Sequence, residues 1–278
     1  LTSVLLKAAL QLCTRQFEWL HVVRLVFYSK FDSMNAKGLF VKYSLEFFVI
    51  VLGITVSFWL NQLAVERSNE NERIKVLQSL HSELAEIEIY CNERTDNYRD
   101  DIDILKALLL EDLNIESLNS LTSSKARIEF VMTFYRVFEP PMNQYQSIIH
   151  AGALKYIKSE KVNEKLGLLH NTFQRYMHTS VNYEQELKKS FLPYLIEAHP
   201  ELLLAKENNS IDLSGYAQLL HSAITTDPRF EANLRLLLGY LKNKLYFLKL
   251  YNGIQIELKA AVEEALGPNV GNQSVPGA

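Results

Sequence analysis

Apolar residues recur every three or four positions over most of this chain, and in one place they fuse into an unbroken run. Leu77, Leu80, Leu84, Ile87, Cys91, Tyr98, Ile102, Leu105 and Leu109 keep that spacing, with only Thr95 filling a gap. Val162, Leu166, Leu169, Phe173, Tyr176, Tyr183 and Leu187 keep it again, Ser180 being the weak point. A third stripe runs Leu234, Leu238, Leu241, Leu245, Leu248, Tyr251, Ile254, Leu258, Val262 and Leu266. The segments ERSNENER and NERTDNYRDD supply the polar faces of the first stripe. A 3–4 spacing places the apolar side chains along one side of a helix, and such sides must be buried. The expected fold is therefore all-α: one N-terminal transmembrane helix followed by an antiparallel helical bundle with long heptad-patterned helices. A rival arrangement pairs the first stripe with its own copy in a dimeric coiled coil that continues from the membrane.

Local signals predict the boundaries. Leu113–Ser124 reads as a loop, and Ser124 as the N-cap of a helix through Ile128, Met132, Tyr135 and Phe138 that Glu139-Pro140-Pro141 stops. Ser159 is a second N-cap; Pro193 should kink or end the helix it caps, and Pro200 is the latest stop. Residues 205–214 form another loop, followed by a short helix from about Gly215 to Thr225. Asp227 and Pro228 then occupy the N-cap and first position of the last helix, which Gly267-Pro268 ends. The organisation that follows is an extension over 1–33, a transmembrane anchor over 34–65, a helical bundle over 66–267 and a disordered tail over 268–278. The first methionine is Met34, so residues 1–33 stand either as a real extension or as sequence outside the native protein.

The unbroken run is EFFVIVLGITVSFWLN, Glu46 to Asn61. No charge occurs between Phe47 and Val65, a length of roughly 28 Å as a helix against about 30 Å of hydrocarbon. Tyr43 and Trp59 lie where amphipathic rings favour the membrane interface, and Lys42 can reach outward. A buried helix of a soluble domain and a cleaved signal peptide are the alternatives; NQLAVER offers no small-x-small cleavage site, which favours an uncleaved anchor. At about 100° per residue, Glu46, Gly53, Ser57 and Asn61 share one narrow face and Thr55 lies opposite. Gly53 and Ser57 form a small-xxx-small pair, which lets two helix backbones approach closely. These four residues are the expected transmembrane helix–helix interface; the other reading leaves Glu46 and Asn61 in the headgroup region.

The spacing of Glu46, Gly53 and Asn61, with Glu66-Arg67 just after, resembles the N-terminal signature of a family of bacterial single-pass membrane proteins, the domain of unknown function 6090 family. The stretch from Gln144 to Tyr176, QYQSIIHAGALKYIKSEKVNEKLGLLHNTFQRY, resembles a second segment of that family, with Ala151-Gly152 as its small-residue–glycine pair. Leu63 stands where the family has an aromatic residue, and His150 where it has serine. The resemblance implies a single-pass bacterial inner-membrane protein with a helical domain, and it implies no activity.

Composition adds exclusions. The net charge of -3 gives no sign of nucleic-acid binding, and 10 Gly with 7 Pro in 278 residues means few turns and long elements. Cys13 and Cys91 make neither a disulfide framework nor a CxxC pair. The histidines show no HExxH spacing, and no GxSxG, GxxxxGK[ST] or GxGxxG occurs, so no cofactor, metal or catalytic residue is expected. Asp100, Asp101 and Asp103 read as a solvated face. Tyr240, Tyr246 and Tyr251 beside Lys242, Lys244 and Lys249 could line a groove, but packing accounts for them more simply.

Lys30, Lys37 and Lys42 before the run balance Arg67, Arg73 and Lys75 after it. Only Lys7, Arg15 and Arg24 tip the count toward a cytoplasmic N-terminus and a periplasmic bundle. The expected function is that of a membrane-anchored interaction or scaffold module. Its partners are the lipid bilayer and either its own copies or another membrane protein. A membrane-tethered sensor that binds a small ligand in the bundle is the alternative.

Overall fold

The computed structural model describes residues 36–267. The expected extension over 1–33, Met34, Cys13 and the tail over 268–278 lie outside the described residues. Every regular element among the described residues is helical, in agreement with the all-α expectation. The described residues divide into two units, with the boundary between Ser68 and Asn69.

Helix α1 is Ala36–Leu108. Its part within the first unit carries the apolar run, and the side chains from Phe47 to Trp59 are exposed.

The second unit is built from the remainder of α1, α2 (Ile115–Leu121), α3 (Lys125–Thr133), α4 (Asn143–His150), a 3-10 turn (Ala153–Tyr156), α5 (Glu160–Gly167), a π turn (Leu168–Phe173), α6 (Gln174–Ala198), α7 (Pro200–Glu207), α8 (Leu213–Thr226) and α9 (Pro228–Leu266). Helix α9 runs antiparallel to α1, because pairing positions fall on one as they rise on the other. Arg73 donates to the Ala265 carbonyl (2.7 Å), Gln255 to the Leu84 carbonyl (2.7 Å), and Lys244 lies over the Tyr98 ring. It is antiparallel to α5 and α6 as well: Lys161 meets Glu264, Lys165 meets Glu257, and Tyr183 stacks on Tyr240.

Two apolar clusters fill the interior. One gathers Leu77, Leu80, Leu84, Ile87 and Tyr98 of α1 with Val162, Leu169, Leu248, Tyr251 and Leu258. The other gathers Leu105, Ile128, Phe191, Tyr216, Phe230, Leu234 and Leu241. The predicted stripe of α1 is buried from Leu77 to Leu105, with Leu109 half-buried. In α9, Leu234, Leu241, Leu248, Tyr251, Leu258, Val262 and Leu266 are buried, and Leu238, Leu245 and Ile254 are partly so.

The middle stripe departs from expectation past Phe173. Tyr176 and Tyr183 are exposed and Leu187 is half-buried, while Met177, Val181, Glu184 and Lys188 are buried, each one residue later. The π turn Leu168–Phe173 is the cause. A π turn holds one residue more than an α turn, so everything after it rotates by about 100°.

Other boundaries also differ. The expected loop Leu113–Ser124 contains α2, capped by Asn114 accepting from the Ser117 amide and anchored by the fully buried Leu118. Helix α3 stops at Thr133, well before the two prolines. From Phe134 the chain runs without regular structure to Met142, held where the Phe134 carbonyl receives Lys188 and the Glu139 amide donates to Tyr90 Oη (2.8 Å). Tertiary contacts override a local helical pattern there. Pro193 does not end its helix, because α6 continues to Ala198. The i−4 carbonyl that a proline cannot serve belongs to Lys189, and both residues are exposed to water.

The caps at Ser159 and Asp227 stand as expected. Asp227 accepts from the Arg229 and Phe230 amides and from Tyr194 and His199, which ties α6 and α7 to the start of α9. These bonds hold its carboxyl well below the usual range, Tyr194 contributing most. Gly152 ends α4 with φ 63°, a left-handed conformation that a side chain disfavours, which accounts for glycine in the Ala151-Gly152 pair.

Candidate functional site

Glu46, Gly53, Ser57 and Asn61 all lie on α1, within the first unit, and Glu46, Gly53, Ser57 and Asn61 are exposed. The structure joins two of them directly: Ser57 Oγ donates to the Gly53 carbonyl at 2.8 Å. Thr55 does the same to Val51 at 2.8 Å. Both hydroxyl protons are thus satisfied inside the helix. A Cβ built on Gly53 would meet nothing within 4 Å, so the flat spot at that position faces outward. This helix is the one among the described residues that is long and apolar enough to cross a membrane. Its apolar window has mean hydropathy 1.9, and none of it is buried.

In the second unit a layer of charge lies between the two apolar clusters. Glu184 on α6 accepts from Lys188 (2.7 Å) and from Lys244 of α9. Lys188 also donates to the Phe134 carbonyl. Lys244 is 0% exposed, and its ammonium lies 4.2 Å from the centre of the Tyr98 ring on α1. One turn along α1, Asp101 is 4% exposed and meets Arg127 (2.5 Å) and Arg136 (3.5 Å). Both guanidinium groups lie over the Phe130 ring, at 5.9 and 4.5 Å from its centre. Burial pushes the Lys188 and Lys244 ammoniums down, and the Glu184 carboxylate opposes that. Burial likewise pushes the Tyr98 hydroxyl up.

The expectation that Asp100, Asp101 and Asp103 form a solvated face is corrected here: Asp100 is exposed, but Asp101 is in this layer. Of the lysines beside Tyr240, Tyr246 and Tyr251, Lys244 is buried in the same layer, while Lys242 and Lys249 are exposed. The signal was present, because Lys244 lies three residues after Leu241 and four before Leu248. Asp101 likewise follows Tyr98 by three and precedes Leu105 by four. A charge at a core-spaced position needs an interior partner.

A second polar cluster joins α1, α4 and the π turn. The Glu83 carboxylate accepts from the Gln144 amide (2.6 Å) and the Tyr145 amide (3.1 Å). It caps α4, whose own N-cap residue Met142 offers no side-chain bond. Tyr145 stacks face to face on His170 at 3.7 Å between ring centres. His170 lies in the π turn and is nearly buried, and burial pushes its imidazole down to about 4. Cys91 is a free thiol that burial pushes up to about 12, an inert rather than a reactive state. No group of three or more metal-ligating side chains occurs among the described residues. The chain matches no family model, no curated protein and no solved structure.

Proposed function

We propose that the protein is a single-pass membrane protein whose helical bundle serves as an interaction or scaffold module. One observation carries this reading: a helical run of Phe, Val, Ile, Leu and Trp with mean hydropathy 1.9, none of it buried. An apolar surface of that extent is unfavourable in water and favourable in hydrocarbon. Association runs through the face of Glu46, Gly53, Ser57 and Asn61, with a second copy or another membrane protein. The location is the bacterial inner membrane with the bundle in the periplasm, in keeping with the resemblance at Glu46–Asn61 and Gln144–Tyr176. No catalytic step is part of the proposal.

The test has two stages. The protein should stay in the membrane pellet after alkaline carbonate extraction; release into the supernatant would overturn the anchor. Alkaline phosphatase fused after Ala278 should be active, while a fluorescent protein that folds only in the cytoplasm should be dark at the same position. The reverse result would put the bundle in the cytoplasm.

A second reading, a bundle that binds a small ligand, is favoured by the buried charge layer of the second unit.

A further inference from the structure

The layer between the two apolar clusters holds Lys188, Lys244, Arg127 and Arg136 against Asp101 and Glu184, four cationic side chains against two anionic. The four side chains taken out of water, Lys188, Lys244, Glu184 and Asp101, balance two to two, and the charge in excess is that of the two guanidiniums, which share Asp101 and reach the surface. Polar atoms beside the excess also lack partners. Tyr98 is 0% exposed and its hydroxyl makes no hydrogen bond, although Glu184, Arg94 and Arg136 are close enough to act on it by charge. Arg127 Nη1 and Arg94 Nε are buried and unbonded as well, while Asp101 Oδ1, an acceptor without a hydrogen bond, is held by its ion pair with Arg127 (2.5 Å). The three donors can all be served by a carboxylate or phosphate oxygen. Access is available, because Arg127 and Arg136 keep 24% and 20% of their side-chain surface exposed, while the Asp101 they share is closed off.

We propose that this layer is a binding site for a small oxyanion, held by Arg127, Arg136 and the Tyr98 hydroxyl, with Lys188 and Lys244 supplying charge from below. The ligand class is inorganic phosphate or a short carboxylate. The site lies wholly in the second unit, so it stands independently of the membrane assignment. The anion completes the charge balance and joins α1, α3 and the segment after it at the level of α6 and α9. Binding therefore stabilises the bundle as a whole.

The experiment uses the full chain in detergent, melted by circular dichroism while inorganic phosphate or acetate is titrated against chloride at matched ionic strength. One of the two oxyanions should raise the Tm along a saturable curve, by about 5 °C or more at a hundredfold excess over its Kd. Which of the two does so identifies phosphate or carboxylate as the preferred chemistry. Tyr98→Phe keeps the ring under Lys244 and removes only the hydroxyl, and it should weaken the anion about tenfold. Arg127→Gln should abolish the effect. Curves for both oxyanions that coincide with chloride would overturn the proposal and leave water as what compensates the two guanidiniums. A saturable rise undiminished in Tyr98→Phe would also overturn it, by placing the anion elsewhere, and that variant decides the matter even where Arg127→Gln fails to fold.

Discussion

The carboxylate of Glu184 receives the ammonium of Lys244 across the α6–α9 contact, and neither group reaches solvent. Lys188 binds the other oxygen of the same carboxylate, so Glu184 alone separates two buried lysines. Removing it leaves both uncompensated. Glu184→Ala should therefore cost about 3–5 kcal/mol in urea unfolding. The triple change Glu184→Leu, Lys188→Met, Lys244→Met replaces charge by apolar volume and should cost less than the single change. If the triple variant is the less stable of the two, the layer contributes net attraction rather than an isolated desolvation burden.

Glu83 acts at a distance of about sixty residues as the cap that α4 lacks locally. Burial raises its carboxyl, and the two amide bonds oppose that without cancelling it. Glu83→Leu removes the acceptor and should destabilise by about 1–2 kcal/mol. The more specific readout is amide hydrogen exchange: protection at Gln144 and Tyr145 should fall in the variant while that of α9 changes only with global stability. Unchanged protection at those two amides would show that another group caps α4.

His170 makes the bundle acid-sensitive. Its imidazole is held at about 4 in the folded chain by burial, against an ordinary value of about 6.5. The unfolded chain therefore takes up a proton first as pH falls. This contribution to stability is present above about pH 6.5 and is lost on going down through pH 4, on the order of 3 kcal/mol in all. The raised carboxyl of Glu83 works the other way in acid, since its folded form binds a proton more readily than its unfolded form. His170→Phe retains an aromatic ring against Tyr145 and removes the titration. Its stability between pH 6.5 and 4 should fall less steeply than that of the parent chain, measured by urea midpoints across that range. Parallel pH curves would remove His170 as the cause.

The stripes of α1 and α9 were legible because no irregular turn interrupts them between Leu77 and Leu105 or between Leu234 and Leu266. Residues past Phe173 were not, since the π turn leaves no mark in the spacing before it and the same period simply resumes one residue later. Tyr183 and Glu184 show the result: the aromatic residue is outside and the acid inside. The α3 boundary was missed for another reason, because the Phe134 carbonyl is fixed by Lys188, fifty-four residues away. The exposed apolar run was legible in composition alone, whereas the charge layer requires partners from α1, α3, α6 and α9 that no single stretch contains. The register change has its own test. Deleting Thr172 takes the extra residue out of the π turn and restores a regular helix with both flanking faces in place. Deleting Glu186 in α6 rotates every later position, burying the wrong side chains up to Ala198. The first deletion should retain a cooperative thermal transition and the second should lose it, a loss comparable to the whole stability of about 5–15 kcal/mol. A chain that tolerates both deletions equally would show that α6 packs without a fixed register.

The face of Glu46, Gly53, Ser57 and Asn61 makes a prediction separable from anchoring. Ser57 already spends its proton on the Gly53 carbonyl, so what the pair offers a second helix is flatness and not a donor. Close approach gives dispersion contacts and weak Cα–H bonds, and these fall away once the helices are pushed apart. Gly53→Leu adds a branched side chain at the closest point and should reduce self-association in a membrane two-hybrid assay about tenfold or more, corresponding to about 1.4 kcal/mol. Thr55→Leu, on the opposite side, should leave association unchanged, and both variants should stay fully in the membrane fraction because each gains apolar surface. Ser57→Ala should also be tolerated, because alanine keeps the surface small and the lost hydroxyl was bonded within its own helix. Equal association of the Gly53→Leu and parent chains would remove this face as the contact. Loss in Ser57→Ala with Gly53→Leu intact would instead point to a hydrogen-bonded seam, in which Ser57 turns from its own backbone to a partner.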